Sequence, residues 1–82
     1  MTVYSLINSF CDRFCVGIYT SLDNLYVALK DCVKRDFEYY TPQEMKEYYE
    51  IFKLTLDNEP LECFEFTTHG NEITIDWEKV FA

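Results

Sequence analysis

Four thiols and one imidazole, Cys11, Cys15, Cys32, Cys63 and His69, are the side chains of this sequence with the widest chemical repertoire. A structural zinc site needs three or four such ligands at short, regular spacings. No Cys-x-x-Cys occurs, and Cys11 and Cys15, four apart, would merely share a helix face. A Cys63–His69 nucleophile pair would need a third group to orient the base, and nothing in the sequence supplies one. His69 sits beside Gly70-Asn71, the residue types of an exposed turn. The thiols therefore read as small buried hydrophobes. We expect no catalytic residue, no metal and no cofactor.

Carboxylates are the other abundant chemical group. The 82 residues hold 15 Asp and Glu against 7 Lys and Arg, a net charge of −8. The excess is lopsided. Residues 1–35 carry three acids and four bases, a balance of +1, whereas residues 36–82 carry twelve acids and three bases, a balance of −9. Asymmetry of this kind points to a charged partner. An acidic surface repels nucleic acid and anionic lipid, so direct binding to either is not expected, and basic surfaces are favoured. General acid–base catalysis would require one of these acids in an apolar pocket. A chain this short leaves little room for one.

Acids and aromatic rings interleave in the second half: Phe37-Glu38-Tyr39-Tyr40, Glu47-Tyr48-Tyr49-Glu50 and Glu62-Cys63-Phe64-Glu65-Phe66. Tyrosine combines contact area with a hydrogen-bonding tip and is enriched at interfaces. Tyr39 and Tyr40 fall between two predicted helices and are the expected anchors, with Glu38 beside them. Glu44, Glu47 and Glu50 step by three along a predicted helix, about 5–6 Å apart at Cβ. Glu72 and Asp76 share one face of a predicted strand, roughly 13 Å apart, and Glu65 points outward from its partner strand. Duplex DNA presents a negative charge about every 1.7 Å of axis, and such a carboxylate array approximates part of that field. The partner we expect is the basic surface of a nucleic-acid-binding protein.

The elements that must position these residues follow from periodicity and punctuation. Val3, Leu6, Ile7, Phe10, Cys11 and Phe14 recur at helical spacing and predict a first helix over 3–15. The rival is a strand pair, 2–8 and 14–19, which the β-branched and aromatic content favours. A second helix starts at a Thr20 or Ser21 cap, with Leu22, Leu25, Tyr26, Leu29, Cys32 and Val33 as its apolar face and Lys34-Arg35 in its last turn. Thr41-Pro42-Gln43-Glu44 is a capping box that opens a third, with Met45, Tyr48, Tyr49, Phe52 and Leu56 at helical spacing. A subordinate reading ends that helix near Tyr49 and makes 51–56 a strand. Leu61–Thr67 and Glu72–Trp77 alternate about His69-Gly70-Asn71 and predict a hairpin, with Val80 and Phe81 folding back beyond it. The expected fold is a single α+β domain over 1–82: three short helices followed by a C-terminal β-hairpin.

In size, acidity and aromatic content the chain resembles the small proteins that phages encode against host defences, of which the anti-CRISPR proteins are the best-known set. The resemblance is one of character over the whole chain and rests on no residue motif; Glu38-Tyr39-Tyr40 with Glu44, Glu47 and Glu50 is the type of surface such inhibitors often use. It implies a stoichiometric, non-enzymatic inhibitor acting in the host cytoplasm as a monomer or small homo-oligomer. The first ten residues lack the basic and apolar regions of a secretory signal, and no apolar run reaches the roughly 20 residues of a membrane span. A reducing compartment is the expectation. The alternative is an adaptor or oligomeric module that docks through apolar and Tyr-rich surface, its acidity serving solubility.

Overall fold

The computed structural model describes residues 2–10, 14–55 and 70–82. Its elements in chain order are β1 (Thr2–Asn8), β2 (Phe14–Tyr19), α1 (Leu22–Asp36), α2 (Pro42–Tyr48), β3 (Tyr49–Thr55), β4 (Asn71–Ile73) and α3 (Trp77–Phe81). The four strands form one antiparallel sheet in the order β2-β1-β3-β4. Strands and helices are interleaved, so the fold is α+β but is not three helices followed by a hairpin.

The first correction concerns residues 3–15, which hold no helix among the described residues. β1 is an inner strand buried on both faces. Leu6 and Asn8 lie on the face toward the helices, while Val3, Ser5 and Ile7 lie on the opposite one, and all five are at most 5% exposed. A strand covered on both sides needs no polar alternation. Its continuous apolar run, Leu6-Ile7 included, then imitates a helical stripe. β1 meets β2 with a one-residue register shift between Leu6 and Ile7, where Gly17 and Cys15 are the partners and Val16 is the extra residue of a bulge.

The second correction concerns the third predicted helix, which stops after seven residues. Thr41 and Glu44 do form the capping box and Pro42 takes the first turn. At Tyr49 the backbone turns extended, φ −99° and ψ 134°, and the chain continues as β3. Tyr49 and Ile51 face the helices, and Phe52 and Leu54 face the other way, again buried on both sides. The subordinate strand reading describes this stretch better.

The third correction is at the C-terminal end. β4 covers only Asn71–Ile73 and pairs with β3, and Trp77 opens a helix, not a strand end. The cause is Asp76, whose carboxylate accepts the Lys79 N–H at 3.2 Å and caps α3. The expected strand 61–67 lies outside the described residues, as do Cys11, Cys63, Glu65 and His69.

α1 matches its prediction closely. Ser21 caps it by accepting the Asn24 N–H at 3.2 Å. Leu25, Tyr26, Leu29, Cys32 and Val33 are buried against the sheet. Leu6, Leu25, Leu29, Met45 and Ile51 have no exposed surface and form the centre of the core, each contributing about 1.5–3 kcal/mol by burial. Val80 of α3 closes one end of it. Among the described residues no helix is long and apolar enough to cross a membrane.

Candidate functional site

The fold splits the expected carboxylate row. Glu44 is half-buried and occupied in the capping box, accepting the Thr41 N–H at 3.0 Å while its own N–H donates to Thr41 Oγ1 at 3.2 Å. Glu47 stands exposed on α2. Glu50 is no longer on a helix. It lies on β3, half-buried, diagonal to Glu72 across the β3–β4 ladder. The even helical step of Glu44, Glu47 and Glu50 does not exist. Asp76 does not share a strand face with Glu72, because it caps α3 and its N–H donates to the Tyr26 hydroxyl at 3.0 Å.

The structure instead gathers Glu50 and Glu72 around a cleft of about 220 Å³ between the end of α2 and the β4–α3 segment. Lys46, Tyr49, Ile75 and Trp77 line the same cleft. Glu38 stands exposed in the α1–α2 connection. Among the described residues no ion pair within 4 Å occupies Glu38, Glu47 or Glu72. Glu47 on α2 and Glu72 on β4 are exposed to solvent.

The two tyrosines of the connection differ. Tyr39 is 76% exposed. Tyr40 stacks on Phe10, with ring centroids 4.0 Å apart and planes 25° apart. Phe10 also meets Tyr48 at 4.6 Å and, edge-on, Tyr49 at 5.6 Å. This cluster ties the α1–α2 connection to the end of β1, where both the Ser9 N–H and its Oγ donate to the Tyr48 carbonyl at 3.0 Å. Tyr39 has no ring partner among the described residues and sits on a connection that its neighbour Tyr40 fastens down.

Beneath the cluster lies a polar network that the sequence reading missed. Asp36 is 6% exposed. Its carboxylate accepts the Tyr49 hydroxyl at 2.5 Å and Arg35 Nε at 3.3 Å. The Tyr49 oxygen in turn accepts Asn8 Nδ2 at 3.2 Å, and Asn8 Oδ1 accepts the Phe10 N–H at 2.9 Å. The signal was present: Asp36 falls four residues after Cys32, on the apolar face of α1. Burial, reinforced by the bond to Asp36, holds the Tyr49 phenol well above its ordinary pKa. Burial also pushes the Cys32 thiol up. That is the opposite of the depressed pKa of a nucleophilic cysteine, so Cys32 is an inert core residue.

Among the described residues no three His, Cys, Asp or Glu side chains are placed to hold a metal ion. This side of the described structure carries the exposed Glu47 and Glu72 and the cleft lined by Lys46, Glu50 and Glu72. Comparison of the chain with protein-family models, with curated proteins and with solved structures finds no match.

Proposed function

We propose that this chain is a non-enzymatic binding protein of the cytoplasm, whose acidic α2–β3–β4 edge covers a basic nucleic-acid-binding groove on a partner protein and blocks it. The observation that carries the reading is the unspent charge: Glu38, Glu47 and Glu72 face solvent with no ion pair among the described residues. Intramolecular pairing would cancel their field, and solvent-facing acids retain it. Tyr39, beside Glu38, supplies the aromatic anchor that a charged rim needs for a longer-lived complex. The resemblance to small phage-encoded inhibitors agrees with such a blocker.

The test is affinity capture of the partner at about 50 mM salt, where screening is weak. The bound protein should be released by duplex DNA and by about 500 mM salt. The triple variant Glu38→Lys, Glu47→Lys, Glu72→Lys should recover none of it. Glu44 and Glu50 stay unchanged because Glu44 caps α2 and Glu50 is half-buried. A partner retained at high salt, or by the triple variant, refutes the reading.

A further inference from the structure

The molecule has a second concave feature of opposite sign. A groove of about 220 Å³ runs between α1 and α3. Lys30, Val33, Lys34 and Phe37 form one wall and Val80, Phe81 and Ala82 the other, and no Asp or Glu side chain is among its described lining residues. Along α1 and into its C-cap residue Phe37, which keeps helical backbone angles, Val27, Lys30, Lys34 and Phe37 recur at i, i+3, i+7 and i+10, which places them within a sector of about 80° over roughly 15 Å of axis. Both apolar ends of this stripe are open to solvent, Val27 at 61% and Phe37 at 51% exposure. The stripe reads apolar, basic, basic, apolar.

Neighbouring helices add further cations. Lys46 of α2 places Nζ 5.9 Å from the Phe81 ring centroid, and Lys79 of α3 places Nζ 4.8 Å over Tyr26 of α1. Lys30 and Lys34 line the groove itself, and Lys46 reaches the Phe81 ring at its edge. Helix-terminal complementarity accounts for Lys34, which sits in the last turn of α1. It does not account for Lys30, which lines the groove about two turns before the end of α1. Two carboxylates of α1 border the stripe: Asp31, three residues before Lys34 and about 60° around the axis from it, and Asp23, in the same sector about one turn before Val27 and about 10 Å along the axis from Lys30.

We propose that this groove is a docking site for an acidic peptide segment whose carboxylates are flanked by apolar side chains. Charge complementarity selects the occupant. The acids meet Lys30 and Lys34, and the flanking apolar residues meet Val27 and Phe37. An extended chain covers roughly 15 Å in four to five residues, so four acids between two apolar residues match the stripe. The groove shares no lining residue with the cleft around Glu50 and Glu72.

The probe is the fluorescein-labelled peptide Phe-Asp-Glu-Asp-Glu-Leu, titrated by anisotropy at about 50 mM salt. Two comparison peptides carry Asn and Gln in place of the acids, or Ala in place of both apolar ends. Binding should weaken about 10-fold or more with either comparison peptide, with Lys30→Glu/Lys34→Glu, and with Phe37→Ser. All three positions are exposed, and the milder Lys30→Gln/Lys34→Gln should show the same direction. The triple variant of the acidic edge should keep binding the peptide, which separates failure of this site from failure of the proposed function. The proposal is overturned by no binding up to about 1 mM. It is overturned equally by undiminished binding of the uncharged peptide, by variants that bind as the parent does, by binding to phosphatidylserine vesicles but not to the peptide, or by a self-associated chain that excludes the peptide.

Discussion

Removing one oxygen atom, in Tyr49→Phe, tests whether the buried polar network holds the site in place. The Tyr49 hydroxyl donates to Asp36 and accepts from Asn8, and the three residues are 3%, 6% and 5% exposed. A hydrogen bond to a charged acceptor contributes about 1.5–3 kcal/mol, and an orphaned buried donor such as Asn8 Nδ2 adds a desolvation cost of about 1 kcal/mol. The expected loss is about 2–4 kcal/mol. An 82-residue chain has a total stability of about 4–12 kcal/mol at the usual value per residue. For a domain of this size the loss lowers Tm by about 10–25 °C. Urea unfolding followed by circular dichroism measures it, and Asp36→Asn, alone and combined with Tyr49→Phe, completes a double-mutant cycle. The two changes share one interaction, so their effects should fall short of additivity by about 1.5 kcal/mol or more. A Tyr49→Phe protein within about 0.5 kcal/mol of the parent, or a cycle with no coupling, would refute the argument.

Other consequences of the structure can be measured on the same isolated protein. Ser5 on β1 is wholly buried and its hydroxyl has no hydrogen-bond partner among the described residues, so Ser5→Ala should leave stability unchanged or raise it by about 1 kcal/mol in urea melts, whereas a loss above that would mean the hydroxyl is satisfied. Cys32, Tyr49 and Tyr19 all have raised pKa values, chiefly from burial, while in the unfolded chain they ionise near 9.0 for the thiol and 10.0 for the phenols. The unfolded state then holds fewer protons in alkali, so their stabilisation is complete below pH 9 and declines above it, by up to about 1.4 kcal/mol per pH unit for each group. Cys32→Ala should remove the earliest part of that decline, and a flat profile to about pH 11 would contradict it. At Gly70 an added Cβ would lie 2.5 Å from the Lys53 carbonyl oxygen. Gly70→Ala must therefore move backbone at the β3–β4 pairing, with an expected cost of about 1–3 kcal/mol and faster amide exchange in Asn71–Ile73. Thr41→Ala should cost about 1 kcal/mol through loss of the α2 cap, again read from urea melts.

Local rules written in the chain decided α1, the capping box of α2 and the charge imbalance, because caps, helical spacing and side-chain ionisation act over a few residues. Ser21, Thr41 and Glu44 do what their positions suggest. The tertiary structure decided the rest. Whether Val3-to-Phe14 is one helix or two strands depends on how many faces of β1 are covered, and no local pattern reports that. The same holds for Tyr49–Thr55, whose apolar residues satisfy helix and strand periodicities alike until β1 and β4 pair with it. Charge was legible as a sum but not as a placement. Folding assigned Glu44 and Asp76 to helix caps, buried Asp36, left Glu38, Glu47 and Glu72 to solvent, and drew lysines from α1 and α2 toward Phe37 and Phe81. Side chains far apart in sequence meet only once the sheet order brings them together, so a surface of either sign belongs to the fold and not to the order of residues.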